Sequence, residues 1–177
     1  MKSQLIKLGM ALSFALAFST GPSAFAIDVG DAAPCVVLDG VDAQGNNTHG
    51  CIRDTIQPKH THTVIDFFSV HCSTCRANLP AVARLTRALT NHATVRYVSV
   101  DRSSDEVRKF LAEAPFKGHM NNPVAFDVDR DAKKAYGVSG TPTMFILDAN
   151  YKVVYKHAGK LTAEDEAHIA SLITGNH

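Results

Sequence analysis

The pattern of apolar and polar positions divides the chain into short strands and amphipathic helices. Residues 63–70 form a nearly continuous β-branched and aromatic run, which is typical of a strand buried on both faces. Leucine and valine then recur at helical spacing, which predicts a helix over residues 73–91 with Pro80 inside it. The full order reads β-β-β-α-β-α-β-α-β-β-α, so we expect an α/β fold with a central mixed sheet flanked by helices.

The N-terminal part of this series predicts a β-hairpin. Residues 35–39 and 51–54 are its two strands, and the glycine- and asparagine-rich stretch between them is the turn. Further strands are predicted over residues 94–101, 123–127, 143–148 and 152–157. Helices are predicted from Ser103, over residues 129–136 and over residues 162–173, with capping patterns at the first and the last.

The first 26 residues have the pattern of a secretory signal peptide. Lys2 and Lys7 are basic, an apolar run follows, and Ala24 and Ala26 form an Ala-x-Ala cleavage site. An uncleaved anchor or a buried helix is the alternative, although the run is shorter than the ~20 residues that span a bilayer. We expect residues 27–177 to form one domain in the periplasm, where disulfides persist. The net charge of +1 leaves no basic surface for nucleic acid.

Cys72 and Cys75 form a Cys-x-x-Cys motif at the junction of the buried strand and the following helix. At a helix N-terminus, free backbone amides and the helix dipole favour the thiolate of the first cysteine. The second, more buried cysteine can then resolve a mixed disulfide. Half of a zinc site and a purely structural disulfide are the alternatives, but the chain has no second Cys-x-x-Cys to complete a zinc site.

The chain resembles the thioredoxin superfamily, and within it the TlpA/ResA-like branch of periplasmic thiol–disulfide oxidoreductases. The resemblance is carried by residues 66–75 (DFFSVHCSTC), by Pro80, by residues 137–143 (GVSGTPT) and by residues 29–34 (VGDAAP). It implies a thioredoxin-like fold and a redox-active Cys72–Cys75 disulfide with no other cofactor and no metal. It also implies a cis Thr141–Pro142 peptide that faces the cysteines and binds client backbone. The sequence by itself does not predict a cis peptide, because only ~5–6% of X–Pro bonds are cis, and a trans loop proline is the alternative.

Asp66 stands where thioredoxins carry a buried acid beneath the cysteines. Burial would raise its pKa, and it could take the proton of Cys75. The alternative is a carboxylate paired with a buried lysine or arginine. Tyr97 and Asn78 replace a lysine and a glutamate of related proteins, and His71 replaces the tryptophan before the first cysteine. When protonated, His71 could lower the pKa of Cys72 and contact substrate, or it could be a solvated surface histidine.

The resemblance implies protein clients, such as apocytochrome or copper-site cysteines, and a membrane thiol relay as electron donor. We expect the protein to be a monomer. We also expect it to act mainly as a reductant, because Ser73 and Thr74 place no charge between the cysteines. A copper chaperone using Cys72, Cys75 and a histidine is the alternative function, and a peroxidase is a third. Cys35 and Cys51 are predicted to form a structural disulfide across the hairpin, with two buried thiols as the alternative.

Overall fold

The computed structural model describes residues 26–54, 58–113 and 122–175. The segment predicted as a signal peptide therefore lies almost entirely outside the described residues. The strands are β1 (Val37–Val41), β2 (Asn47–Cys51), β3 (His62–Phe68), β4 (Ala93–Ser99), β5 (Val124–Phe126), β6 (Thr143–Asp148) and β7 (Val153–Ala158). The helices are α1 (Ser73–Ala88), α2 (Ser104–Ala112), α3 (Asp131–Ala135) and α4 (Ala163–Thr174).

The seven strands form one mixed sheet in the order β2-β1-β5-β4-β3-β6-β7. Strands β3, β4 and β5 run parallel, and the remaining pairs are antiparallel. The element order and the mixed sheet that the sequence predicts are both confirmed. The central position of β3 explains its nearly continuous apolar run, because both faces of this strand are covered.

The N-terminal hairpin is present, but its predicted strand positions are wrong. Strand β2 begins at Asn47, four residues before the predicted return strand, because the Asp42 carboxylate closes a short turn. Its Oδ1 accepts hydrogen bonds from the backbone N–H groups of Gln44 (2.9 Å) and Asn46 (2.8 Å). Gly45 supplies the positive φ of +86° that this turn needs. As a result, Cys51 pairs with Val37 across the hairpin.

Alternate residues of β3 enter two separate hydrophobic cores. Val64 and Phe68 pack in a cluster with buried side chains of α1, α2 and α4. Ile65 and Phe67 pack on the opposite face with residues of α3 and of the N-terminal segment. Both faces of the sheet are therefore covered, and α1 is held against the face on which Asp66 also lies.

The helix ends follow their predicted capping residues. Ser103 Oγ accepts a hydrogen bond from Glu106 N at the start of α2. Thr162 and Asp165 form a reciprocal capping box at the start of α4. Helix α1 ends at Ala88, before the predicted Asn91, and it contains Pro80 as predicted. Among the described helices, none is both long and apolar enough to cross a membrane.

Candidate active site

The two cysteines of the motif lie at the first turn of α1, immediately beyond the carboxyl end of β3. Cys72 is the N-cap residue, and its Sγ accepts a hydrogen bond of 3.0 Å from Cys75 N. The two sulfurs are joined in a disulfide. Cys72 is half-buried, whereas only 6% of Cys75 is exposed. This is the arrangement predicted for an accessible first sulfur and a protected second one.

The Thr141–Pro142 peptide is cis, as the resemblance implies, and it lies beside the cysteines. The Thr141 carbonyl oxygen is 3.3 Å from Cys72 Sγ. Strand β6 begins directly after this peptide, and its Thr143 pairs with Phe67 near the end of β3. The neighbouring positions of β3 and β6 in the sheet therefore bring the two motifs together.

Asp66 is buried on the α1 face of β3, within the sheet that carries the cysteines. Burial raises the pKa of its carboxyl from 3.8 to about 7. Its Oδ1 has no hydrogen-bond partner in the part of the chain that the structure describes. Tyr97 pairs with it on β4, and the Tyr97 hydroxyl is likewise buried without a partner there. No described lysine or arginine forms an ion pair with Asp66, so the alternative of a buried ion pair is not observed.

His71 is exposed beside the first cysteine. Its Nε2 lies 3.2 Å from Glu106 Oε2 at the start of α2. The side chain thus contacts a carboxylate that the sequence pattern does not connect with it. This contact places α2 next to the cysteine loop.

The loop between β3 and α1 is bonded to neighbouring elements on both sides. The Arg76 guanidinium donates two hydrogen bonds to the Val70 carbonyl oxygen, at 3.0 and 2.8 Å, and it lies 5.3 Å from the ring centre of Phe110. The Asp101 carboxylate accepts a hydrogen bond from Val70 N. Sequence reasoning did not single out Arg76 or Asp101. The available signal was a charged residue directly after the motif and another at the end of the adjacent strand.

Cys35 and Cys51 form a disulfide, as predicted, with their Cα atoms 5.4 Å apart. A disulfide across the hairpin suggests that the two cysteines lie directly opposite each other on its strands, and this arrangement is not found. Cys51 pairs with Val37, and Cys35 lies two residues before β1. In the described ranges, the one cluster of three potential metal ligands consists of these two cysteines and Asp54, whose ligand atoms lie within 4.8 Å of one another, but the two sulfurs are bonded to each other and are therefore not thiolate ligands. This cluster does not include Cys72 or Cys75.

Asn78 has a structural role in the described chain. It is buried in α1, and its Oδ1 accepts a hydrogen bond of 2.9 Å from Leu161 N. The side chain therefore joins α1 to the segment that leads into α4.

Comparison with known proteins agrees with this geometry. A family model described as Redoxin matches residues 28–173. The thiol-disulfide oxidoreductase ResA of Bacillus subtilis (strain 168) is 26% identical over 159 residues, which cover 89% of this chain and 83% of that protein. A solved structure named as a thiol:disulfide interchange protein DsbE from Chlorobium tepidum superposes with a TM-score of 0.67 at 28% identity, covering 84% of this chain and 98% of that one.

The fold is shared more widely than this chemistry. The reduced 2-Cys peroxiredoxin of Plasmodium vivax superposes with a TM-score of 0.68 at 16% identity, covering 83% of this chain and 96% of that one. At this identity the likeness concerns the fold alone. The ResA and DsbE relatives therefore carry more information about the reaction than the peroxiredoxin does.

Proposed function

The chain belongs to the Redoxin family and is a thiol–disulfide oxidoreductase of the ResA and DsbE type, and we propose that it reduces disulfides of exported protein clients through Cys72 and Cys75. The observation that carries this proposal is the position of Cys72 Sγ. It lies 3.0 Å from Cys75 N and 3.3 Å from the Thr141 carbonyl oxygen. The backbone amide of Cys75, at the start of the helix, stabilises a thiolate on Cys72. The adjacent cis peptide is placed to bind the extended backbone of a client.

In the proposed exchange, the Cys72 thiolate attacks one sulfur of a client disulfide. A Cys72–client S–S bond forms, the client S–S bond breaks, and the first client sulfur leaves as a thiolate. Cys75 then loses its proton and attacks the Cys72 sulfur. The Cys72–Cys75 disulfide forms, the second client thiolate leaves, and two electrons have passed from the dithiol to the client. Asp66 is the proposed acceptor of the Cys75 proton, because a buried carboxyl with a pKa of about 7 can change protonation near neutral pH.

The proposed direction of electron flow depends on how strongly the site stabilises the reduced dithiol relative to the disulfide. Ser73 and Thr74 are uncharged, so the extra stabilisation of the Cys72 thiolate is smaller than in a strong oxidant. A reductant needs an electron donor after each cycle, and the proposed donor is a thiol relay in the membrane. The proposed functional unit is a monomer, because both cysteines and the cis peptide beside them lie on one chain.

Export through a signal peptide cleaved after Ala26 is part of the proposal. The basic and apolar start of the chain and the Cys35–Cys51 disulfide support an oxidising compartment. The intact mass of the protein recovered from periplasm should correspond to residues 27–177. A soluble periplasmic species that still carries Met1 would contradict cleavage.

A trapping experiment tests the function. The Cys75→Ala variant should hold clients on Cys72 as mixed disulfides that are released by a small-molecule reductant. The Cys72→Ala variant is the matched control and should trap nothing. Failure of Cys75→Ala to accumulate any mixed disulfide would overturn the proposal, and tight Cu(I) binding without client reduction would favour the copper chaperone instead.

A further inference from the structure

Asp101 is a buried carboxylate that the exchange mechanism does not use. It follows β4 by two residues, and only 6% of it is exposed. Its Oδ1 accepts a hydrogen bond of 2.6 Å from Ser69 Oγ. Its Oδ2 accepts one of 2.9 Å from Val70 N and one of 2.7 Å from Ser99 Oγ. Two of these three donors belong to the loop between β3 and α1 that carries Cys72.

The same loop is bonded further within itself. Ser69 Oγ, which donates to Asp101, also accepts a hydrogen bond of 3.2 Å from His71 N. The Ser69 carbonyl oxygen accepts one of 3.1 Å from Cys72 N. The backbone of Val70 is hydrogen-bonded on both sides: its N–H donates to Asp101, and its carbonyl oxygen accepts from Arg76.

We propose that Asp101 is a positioning residue for the attacking sulfur: its hydrogen bonds to Ser69 and Val70 fix the loop so that Cys72 Sγ stays on the first turn of α1. This inference rests on the proposed exchange at Cys72. The hydrogen bonds of its carboxylate go to Ser69, Val70 and Ser99 and not to a sulfur, so it acts on Cys72 through the loop.

The physical reason lies in how short the loop is. Only four residues separate the end of β3 from the start of α1, and Cys72 is the last of them. A hydrogen bond weakens steeply when its distance or angle departs from the optimum. Small movement of Ser69 and Val70 would therefore displace Cys72 Sγ from Cys75 N, and the thiolate would lose the donor that stabilises it at the helix start.

The chain offers a closely matched control in Asp127. This aspartate is also buried, and it directly follows the neighbouring strand β5. It accepts hydrogen bonds from Ala132 N (3.0 Å) and Lys133 N (2.7 Å), at the start of α3. Asp127→Ala therefore removes the same kind of buried acceptor from a strand end, without touching the cysteine loop. Both alanine variants should lose stability, because Asp101→Ala leaves one backbone N–H and two hydroxyl groups without their acceptor and Asp127→Ala leaves two backbone N–H groups without theirs.

The measurement is the rate at which the reduced protein is alkylated at Cys72 by a neutral thiol reagent, followed from pH 4 to pH 10. In Asp101→Ala the pH profile should move toward that of a free thiol, with the rate near pH 6 lowered by about tenfold. The equilibrium constant with glutathione should shift by about tenfold toward a more reducing potential, which corresponds to about 30 mV. Asp127→Ala should match the wild type in both measurements.

Two further variants distinguish the effect of the Asp101 hydrogen bonds from the effect of its charge and from a general loss of folding. Asp101→Asn keeps an acceptor for Val70 N and should recover the wild-type profile to within about twofold. Ser69→Ala removes one bond to Asp101 and the acceptor of His71 N, and it should shift the profile in the same direction by about threefold with a smaller loss of stability.

Equal alkylation profiles for Asp101→Ala and Asp127→Ala would overturn the proposal. So would an Asp101→Asn variant that folds as stably as the wild type but shows the alanine profile, because charge rather than position would then be responsible. If Asp101→Ala does not fold, an unchanged profile in Ser69→Ala overturns the proposal on its own. A wild-type protein that reduces no client would contradict the proposed function, and the alkylation test of Asp101 would still stand.

Discussion

Replacing Asp66 by asparagine should change how the stability of the oxidised protein depends on pH. In the folded protein burial raises the pKa of Asp66 from 3.8 to about 7, so between these values the folded state binds a proton that the unfolded state has released. The wild type therefore loses stability as the pH rises from about 4 to about 7. The difference between the two pKa values corresponds to about 4 kcal/mol, at 1.36 kcal/mol for each pH unit.

The Asp66→Asn variant lacks this carboxyl and should not lose that stability. Its free energy of unfolding, minus that of the wild type, should become more positive by about 4 kcal/mol between pH 4 and pH 8. Urea unfolding of both proteins with the Cys72–Cys75 disulfide intact would measure this difference, because the cysteines then do not titrate.

A second variant distinguishes titration from packing. Asp66→Ala differs from Asp66→Asn in size and polarity, so its stability at any one pH should differ, but its difference from the wild type should change with pH by the same amount. A difference that stays constant from pH 4 to pH 8 in both variants would refute the argument that burial sets the protonation of Asp66. The reduced Asp66→Asn variant should also resolve mixed disulfides more slowly near pH 7, because Cys75 loses its proposed proton acceptor.

Three other outcomes follow from the structure. Replacing Cys35 and Cys51 together by serine should lower the free energy of unfolding by about 3 kcal/mol in a denaturant titration, the entropic contribution expected for a loop of this length, while alkylation of Cys72 stays unchanged. Thr162→Ala should lower it by about 1 kcal/mol, because the capping box of α4 is lost. Equilibration of the Cys72–Cys75 pair with glutathione should give a potential below ~−180 mV, and a value near ~−120 mV would reverse the proposed direction.

The features that could be predicted from the sequence are those encoded by neighbouring residues. The apolar run that ends at Phe68 and the helical spacing after Ser73 identify β3 and α1, and the cysteine motif lies between them. The capping pair of Thr162 and Asp165 is equally local. The hairpin register was not predicted correctly, because it depends on which backbone groups the Asp42 side chain accepts from, and several turns are compatible with the same composition.

The role of Asp101 depends on contacts between segments that are far apart in the chain. Ser69 and Asp101 are 32 residues apart, and nothing in either neighbourhood indicates that they meet. They meet because β3 and β4 are parallel and in register, with Phe68 paired to Ser99 and Val100 N donating to the Phe68 carbonyl oxygen. The residues that follow the two strands then lie at the same edge of the sheet.

The register of β6 against β3 likewise explains why the cis Thr141–Pro142 peptide lies beside the cysteines. Because β6 is antiparallel to β3 and Thr143 pairs with Phe67, the residues before β6 lie beside the residues after β3. The Thr141 carbonyl oxygen is thus placed 3.3 Å from Cys72 Sγ. Three strand ends therefore build the site: β3 supplies the cysteine loop, β4 the carboxylate that holds it, and β6 the cis peptide beside it. Changes that disturb the register of β4 against β3 should alter the chemistry of Cys72 even when the cysteine motif itself is intact.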